Sequence, residues 1–249
     1  MSRKKRPRLR NVNKVHAPYE LNNFPSDFGF KLGRELIYLL ATKGTPSLEG
    51  TEWEKIFAGC ITANWKPSNV GLDDVVLENC AWSAKTVKSS SPSHQKHVRL
   101  ISGRNSPVYS YGETQISDVE PNSLGEQVLS IWNERVSAIR KLYEFARTVV
   151  LIKSPTLEEV AVFEFDTIRY DPELYIWDWN NNNNLEGYEK NSSDHIFTWQ
   201  PHGSQFTIIE KVPSDCLIVN IKKPPQLDKV KTLQMLGIDN SWITITKKK

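Results

Sequence analysis

The chain has 249 residues, 39% of them hydrophobic and 24% charged, with 32 Lys/Arg against 29 Asp/Glu for a formal net charge of +3. Such a composition marks a soluble globular chain able to bury a sizeable core without staples, and no apolar run approaches the ~18 residues of a membrane span. The charge is uneven: residues 1–14 carry seven Lys/Arg and no acid, the last three residues are all lysine, and the body between them is seven units negative.

Residues 1–18 read as a basic, flexible arm that either solubilises the protein or runs along phosphates. They lack the apolar stretch of a secretory signal, so a cytoplasmic location is expected. Residues 25–43 predict a first helix ending near Gly44. In PSLEGTEWEKIFAGCITANW, Ser47 is placed to cap a second helix on which Trp53, Ile56, Phe57, Cys60 and Ile61 form a buried stripe, with Pro67 and Ser68 ending it. Residues 72–77 and 80–87 predict a β-hairpin turning at Glu78 and Asn79. Residues 88–97 are a polar loop, and VRLISG after them a strand.

Residues 123–148 hold the i, i+3, i+4 apolar spacing of the longest helix, opened by a capping box of Ser123 and Glu126. TVVLIK and EEVAVFEFD then read as strands, the five asparagines 180–184 as a turn, and HIFTWQ and SQFTIIEKV as a second hairpin linked by PHG. KPPQLDKVKTLQMLGID predicts a short helix after its prolines. Helices packed on a mixed sheet follow, an α/β or α+β fold.

The chemistry points to the first hairpin. Side chains alternate along a strand, so Ser83 and Lys85 share one face, and Asp74 shares a face with Val76 and Glu78. Tight pairing would bring Asp74 and Lys85 together at one end of the hairpin. A carboxylate there suits Mg²⁺, and the ammonium can orient or deprotonate an attacking water and offset charge on phosphoryl oxygens.

An Asp at the start of one strand followed by Ser83-Ala84-Lys85 on the next resembles the PD-(D/E)xK nuclease superfamily, and within it the type II restriction endonucleases. Leu72-Asp73 stands where Pro-Asp is typical, and Ser83 replaces the second acid, as in those members that carry Ser-x-Lys and take the missing carboxylate from elsewhere. GTEWEKIF, residues 50–57, is similar to the glutamate-bearing helix many members place before the hairpin. It offers Glu54 first and Glu52 second, with Glu113 in SYGETQ as a downstream candidate for metal binding.

The resemblance spans residues 47–87. It implies a restriction-endonuclease-like mixed β-sheet core flanked by helices, with a catalytic core over about 47–153 and a DNA-recognition region over about 154–249 of a single domain, residues 19–249. It implies Mg²⁺-dependent, sequence-specific hydrolysis of double-stranded DNA to 5′-phosphates, with Asp74 and Glu54 on the metal, Lys85 on the water or phosphate, and Ser83 as a polar helper. It also implies a homodimer and a cognate DNA methyltransferase as genetic partner. Two rivals remain: a repair, junction-processing or transposition nuclease of the same fold, and a non-enzymatic nucleic-acid-binding protein.

Base-reading candidates are Arg104 and Asn105, suited to bidentate contacts with guanine and adenine edges, and Gln200, His202, Ser204 and Gln205 around a tight turn. Each has an ordinary alternative as a solvated turn residue. Trp177, Trp179, Tyr170, Tyr175 and Tyr188 are read as core rather than as stacking platforms. The five histidines show no metal or HNH-like spacing, and neither a nucleophile elbow nor a phosphate loop is present. Cys60, Cys80 and Cys216 lie far apart and read as buried thiols.

Overall fold

The structure, a computed structural model, describes residues 15–66, 71–113 and 116–247. Residues 1–14 of the arm expected over 1–18, Pro67 and Ser68, and the last two lysines lie outside the described residues. Among the described residues, five helices and two sheets make an α+β fold. The helices are α1 (Phe28–Lys43), α2 (Gly50–Cys60), α3 (Pro107–Tyr111), α4 (Pro121–Leu142) and α5 (Lys229–Met235). The first sheet orders β1 (Asn64–Trp65), β2 (Val75–Leu77), β3 (Cys80–Lys88), β5 (Phe145–Lys153), β6 (Glu159–Asp166) and β11 (Leu217–Asn220). It is mixed, because β3 and β5 run parallel while the other pairs are antiparallel. The second sheet is antiparallel and orders β4 (His97–Arg104), β10 (Gln205–Lys211), β9 (His195–Gln200), β8 (Leu185–Glu189) and β7 (Tyr175–Trp179).

Alternation along β3 decides the layering. Cys80, Trp82 and Ala84 face α1 and α2 across a core that includes Leu36, Trp53 and Phe57. Ala81 faces the other way, toward α4, which is held between the two sheets by Leu124, Val128, Trp132 and Val136 against Phe197, Trp199 and Phe206. Beyond α4 the sheets touch directly, Val98 and Leu100 meeting Val150, Ile152 and Phe163. At Gly125 the helix lies flush on the Trp177 ring, where an added Cβ would come within 2.2 Å of the indole. Phe197 stacks between Trp177 and Phe206, each 5.5 Å away; Trp177 is core, Tyr170, Tyr175 and Trp179 pack half-buried against it, and Tyr188 lies half-buried outside that cluster. None of the described helices is long and apolar enough to cross a membrane.

Several local expectations are corrected. The second helix is capped by Glu49, not Ser47, in a reciprocal box with Glu52, and it stops at Cys60. The long helix begins at Pro121, capped by Glu120 rather than by Ser123 with Glu126, and ends at Leu142. Residues 145–148, expected in that helix, start β5 instead. Phe145 and Ala146 continue the apolar spacing only because a strand buried on both faces is apolar at every step. The hairpin turn at Glu78-Asn79 holds, with Glu78 at φ 52°, as does the asparagine turn between β7 and β8. A division at residue 153/154 does not match the sheets: β4 joins the second sheet, and β6 and β11 join the first. Cys60 and Cys80 are free and buried, and Cys216 is free and half-buried.

One titration is written into the second sheet. Burial pushes the Glu210 carboxyl up to about 7, although the Tyr170 hydroxyl donates to its Oε1 at 3.4 Å and acts in the opposite direction. The folded protein therefore keeps a proton that the unfolded chain releases near 4.5, so stability falls as pH rises through that window. Glu210→Gln is expected to add roughly 1–3 kcal/mol at pH 8, at about 1.4 kcal/mol per unit, and little at pH 4. Urea unfolding at the two pH values measures the difference.

Candidate active site

The register of the hairpin builds the site. Val75 pairs with Trp82, so Asp74, one step before β2, lies opposite Ser83 and on its face. The Asp74 Oδ2 accepts from the Ala84 N–H at 3.1 Å, and Ser83 hydrogen-bonds to the same carboxylate. The single Ser83 hydroxyl hydrogen is shared with the Gly71 carbonyl, 2.9 Å away, which ties the segment leading into β2 to the same serine. Lys85 follows two positions along β3 on that face, half-buried. The Asp74 and Lys85 charges act directly on each other.

Two further groups reach this point. Glu54 comes from α2, its Oε2 accepting the Trp65 indole N–H of β1 at 3.0 Å, and it raises the proton affinity of both Asp74 and Lys85. Arg135 comes from α4. Its Nη1 donates to the Ser102 carbonyl at 2.7 Å, and its charge acts on Lys85 while feeling Asp74. Arg135 escaped the sequence reading because its spacing marks only a polar position beside the buried stripe of α4. Which strand that flank faces depends on the parallel β3–β5 crossover.

Burial sets the electrostatics. Asp74 is 5% exposed, and desolvation holds its carboxyl above the usual range. Lys85 and the Ala84 N–H oppose that shift, Glu54 adds to it, and the Ser83 hydroxyl opposes it. Desolvation likewise holds Lys85 below the usual amine range. Asp74 and Glu54 pull it back up, and Arg135 pushes it down further. Each group is thus moved toward its neutral form, the arrangement expected where protons or cations are exchanged.

Lys85 and Arg135 line a cleft of about 400 Å³ with Gly71, Ile101, Ser102, Gly103 and Arg104. Arg135 packs directly on Gly103: the glycine's φ is +121°, and a Cβ there would sit 2.1 Å from the Arg135 Nη1. Gly103→Ala is expected to cost about 1–3 kcal/mol of stability from the strained backbone and to displace Arg135. Thermal unfolding reads the first effect and a crystal structure of the variant the second.

The other candidates divide. Arg104, Gln205 and Gln200 are direct partners across β4, β10 and β9 and form one polar row at the end of the second sheet, with Arg104 on the cleft wall. His202 is exposed and Ser204 half-buried in the turn beside that row. Asn105 is corrected: it is fully buried, donates to the Val128 carbonyl, and packs its backbone against Ser204 and the Trp199 indole, so it joins α4 to the second sheet and reads no base. Glu52 is the capping-box partner of Glu49 and pairs with Lys43 at 2.6 Å, away from the cluster. Glu113 accepts from Gln127 of α4 at 2.6 Å and is not among the charges that act on Asp74 or Lys85.

Among the described residues no group of three or more His, Cys, Asp and Glu side chains is placed to hold a metal. The carboxylates at the cluster are two, Asp74 and Glu54. The chain matches no family model, no curated protein and no solved structure.

Proposed function

We propose that the protein is a Mg²⁺-dependent endonuclease of double-stranded DNA, of the type II restriction kind. The observation that carries this reading is the convergence of Asp74, Ser83 and Lys85, on one face of a hairpin, with Glu54 and Arg135 from two helices. A mixed sheet flanked by helices agrees with the restriction-endonuclease-like core that the motif implies.

The donor set fits a magnesium ion. Mg²⁺ is held by one or two carboxylates and completes its shell with water and substrate phosphate oxygens. Asp74 and Glu54 supply that number and would hold the ion, whose charge would offset the desolvation and the Glu54 repulsion that hold Asp74 above its usual range. The bound ion would supply charge neutralisation at the phosphoryl oxygens and a more acidic water.

The chain's own residues do the rest. Lys85, depressed by burial and Arg135, is suited to accept a proton from the attacking water, or to donate to a non-bridging phosphate oxygen as charge grows there. Ser83 holds Asp74 on the face of Lys85. Arg135, anchored through Nη1 to Ser102, puts positive charge on the cleft wall where a phosphodiester lies. The row of Arg104, Gln205 and Gln200 offers bidentate donors and acceptors to base edges beside the scissile bond.

The test is incubation of the full chain with unmethylated phage DNA and Mg²⁺. Discrete fragments ending in 5′-phosphates support a restriction enzyme. Cleavage only at junctions, flaps or lesions moves the task to DNA processing by the same site. Salt-dependent binding with no Mg²⁺-dependent nicking overturns the enzymatic reading.

A further inference from the structure

The run of five asparagines, residues 180–184, divides its work. Asn180 closes the turn: its Oδ1 accepts from the Asn182 and Asn184 N–H groups, its carbonyl accepts from the Asn183 N–H, and its side-chain amide donates to Glu186. Asn183, at φ 55°, stands instead on the wall of a surface cavity of about 380 Å³, with Trp179, Pro201 and Ile116. Trp179 and Ile116 are half-buried against the core around α4. Among the described residues, no hydrogen bond engages the Asn183 side chain or the Trp179 indole N–H.

These side chains suit a planar, neutral ring with polar edges. The indole and the Pro201 ring offer flat apolar surfaces, and a primary amide donates and accepts at once, as the edge of a nucleobase requires. The cavity is of small-ligand size. No charged side chain lines it among the described residues, so a phosphate buried there would lack a counter-charge.

The cavity and the charged cleft lie at the same end of the second sheet. There β4 ends at Arg104 on the cleft wall, β10 begins at Gln205, β9 ends at Gln200, β8 begins at Leu185 and β7 ends at Trp179. Four strand spacings of ~4.8 Å separate Arg104 from Trp179, roughly 19 Å. That is about five or six base-pair steps of duplex at ~3.4 Å each. A nucleic-acid strand crossing from the Lys85–Arg135 cleft to Trp179 passes Gln205 and Gln200 on the way. A base held in the duplex stack cannot enter such a cavity, whereas an unpaired one swings out at little cost.

We propose that the cavity formed by Trp179, Asn183 and Pro201 receives one unpaired nucleobase of the nucleic acid whose backbone lies in the Lys85–Arg135 cleft. Trp179 and Pro201 stack on its faces, and Asn183 reads its edge. This rests on the reading of the cleft as a phosphodiester site and adds a substrate class to it: DNA with a base out of the stack about five or six pairs from the cut.

The test is binding of the full chain, without Mg²⁺, to a short DNA duplex that is fully paired or carries one extra unpaired nucleotide, A, C, G or T in turn. The parent is expected to bind the unpaired-base duplexes roughly 10-fold or more tightly than the paired one, and to rank the four bases. Trp179→Leu keeps an apolar side chain on the core and is expected to bring that ratio close to one. Asn183→Gly keeps the left-handed turn and is expected to level the four bases. Circular dichroism checks that both variants keep the fold. With 5-iodouracil as the unpaired base, irradiation is expected to cross-link it to Trp179. Equal binding of paired and unpaired duplexes by the parent overturns the proposal. So does a ratio unchanged in Trp179→Leu, a ranking unchanged in Asn183→Gly, or cross-linking to another part of the chain. Mg²⁺-dependent cleavage by the parent, measured separately, tells these failures from a failure of the nuclease reading. Cleavage without the preference sinks the cavity alone, the preference without cleavage sinks the nuclease alone, and no binding to either duplex sinks both.

Discussion

Lys85→Ala is expected to lower Mg²⁺-dependent cleavage of duplex DNA by about 10²–10³-fold or more, the usual cost of deleting a preorganised group that meets developing charge. Folding should not suffer. Lys85 is half-buried and burial disfavours its charged form, so truncation removes a desolvation penalty along with its attraction to Asp74. Lys85→Arg separates the two roles. Arginine keeps the positive charge but does not give up its proton near neutral pH, so an equally inactive Arg variant assigns proton transfer to Lys85, whereas a partly active one assigns charge stabilisation. Asp74→Asn keeps an acceptor for the Ala84 N–H while deleting the charge proposed to hold Mg²⁺, and is expected to abolish the response to Mg²⁺. Plasmid nicking measured across Mg²⁺ concentrations reads all three, and parental rates in Lys85→Ala and Asp74→Asn would falsify the site.

The second large effect lies in the core. Glu164 of β6 is 1% exposed, and its side chain accepts from the Tyr19 hydroxyl at 2.5 Å, the Trp82 indole at 2.8 Å and the Arg147 guanidinium at 3.2 Å. Arg147 also donates to the Tyr19 carbonyl at 2.9 Å, and Asn22 brackets the Glu164 backbone at both its N–H and its carbonyl. This cluster fastens residues 19–22 across β5 and β6. Arg147→Ala is expected to destabilise by about 3–5 kcal/mol, because it leaves a buried carboxylate without its cation.

Burial already holds Glu164 above the usual carboxylate range, and without Arg147 it rises further. The unfolded chain binds its proton only near the ordinary value, so the deficit is greatest at neutral pH and shrinks as pH falls toward that value. Replacing both partners, as Arg147→Met/Glu164→Leu, is expected to recover much of the loss, since no unpaired charge remains. Guanidinium unfolding of the parent and the two variants at pH 5 and pH 8 measures this, and a loss in Arg147→Ala below ~1 kcal/mol would contradict an ion pair in a dry site.

The sequence by itself determined the local elements and the central pair of the site. Alternation places Ser83 and Lys85 on one strand face, and the Glu78-Asn79 turn fixes a register that puts Asp74 opposite Ser83. Both are short-range consequences of backbone geometry, as are the asparagine turn and the helical stripe of α2. Helix ends were less legible. Phe145 and Ala146 satisfy helical spacing and a doubly buried strand equally well, and only the pairing of β5 with β3 and β6 selects the strand.

What the tertiary structure alone decided is which distant segments meet. The strands divide into two sheets that interleave along the chain, and α4 between them carries Arg135 to Lys85 and draws Asn105 into the core. Arg104 and Asn105 are adjacent and chemically alike as base readers, yet one lines the cleft and the other is sealed against Val128 and Trp199. Composition and periodicity record how each segment divides its polar and apolar faces. They do not record which other segment covers a face, because that follows from long-range packing of the whole core, and in this protein such packing turns a hairpin with one acid and one amine into a charged cleft.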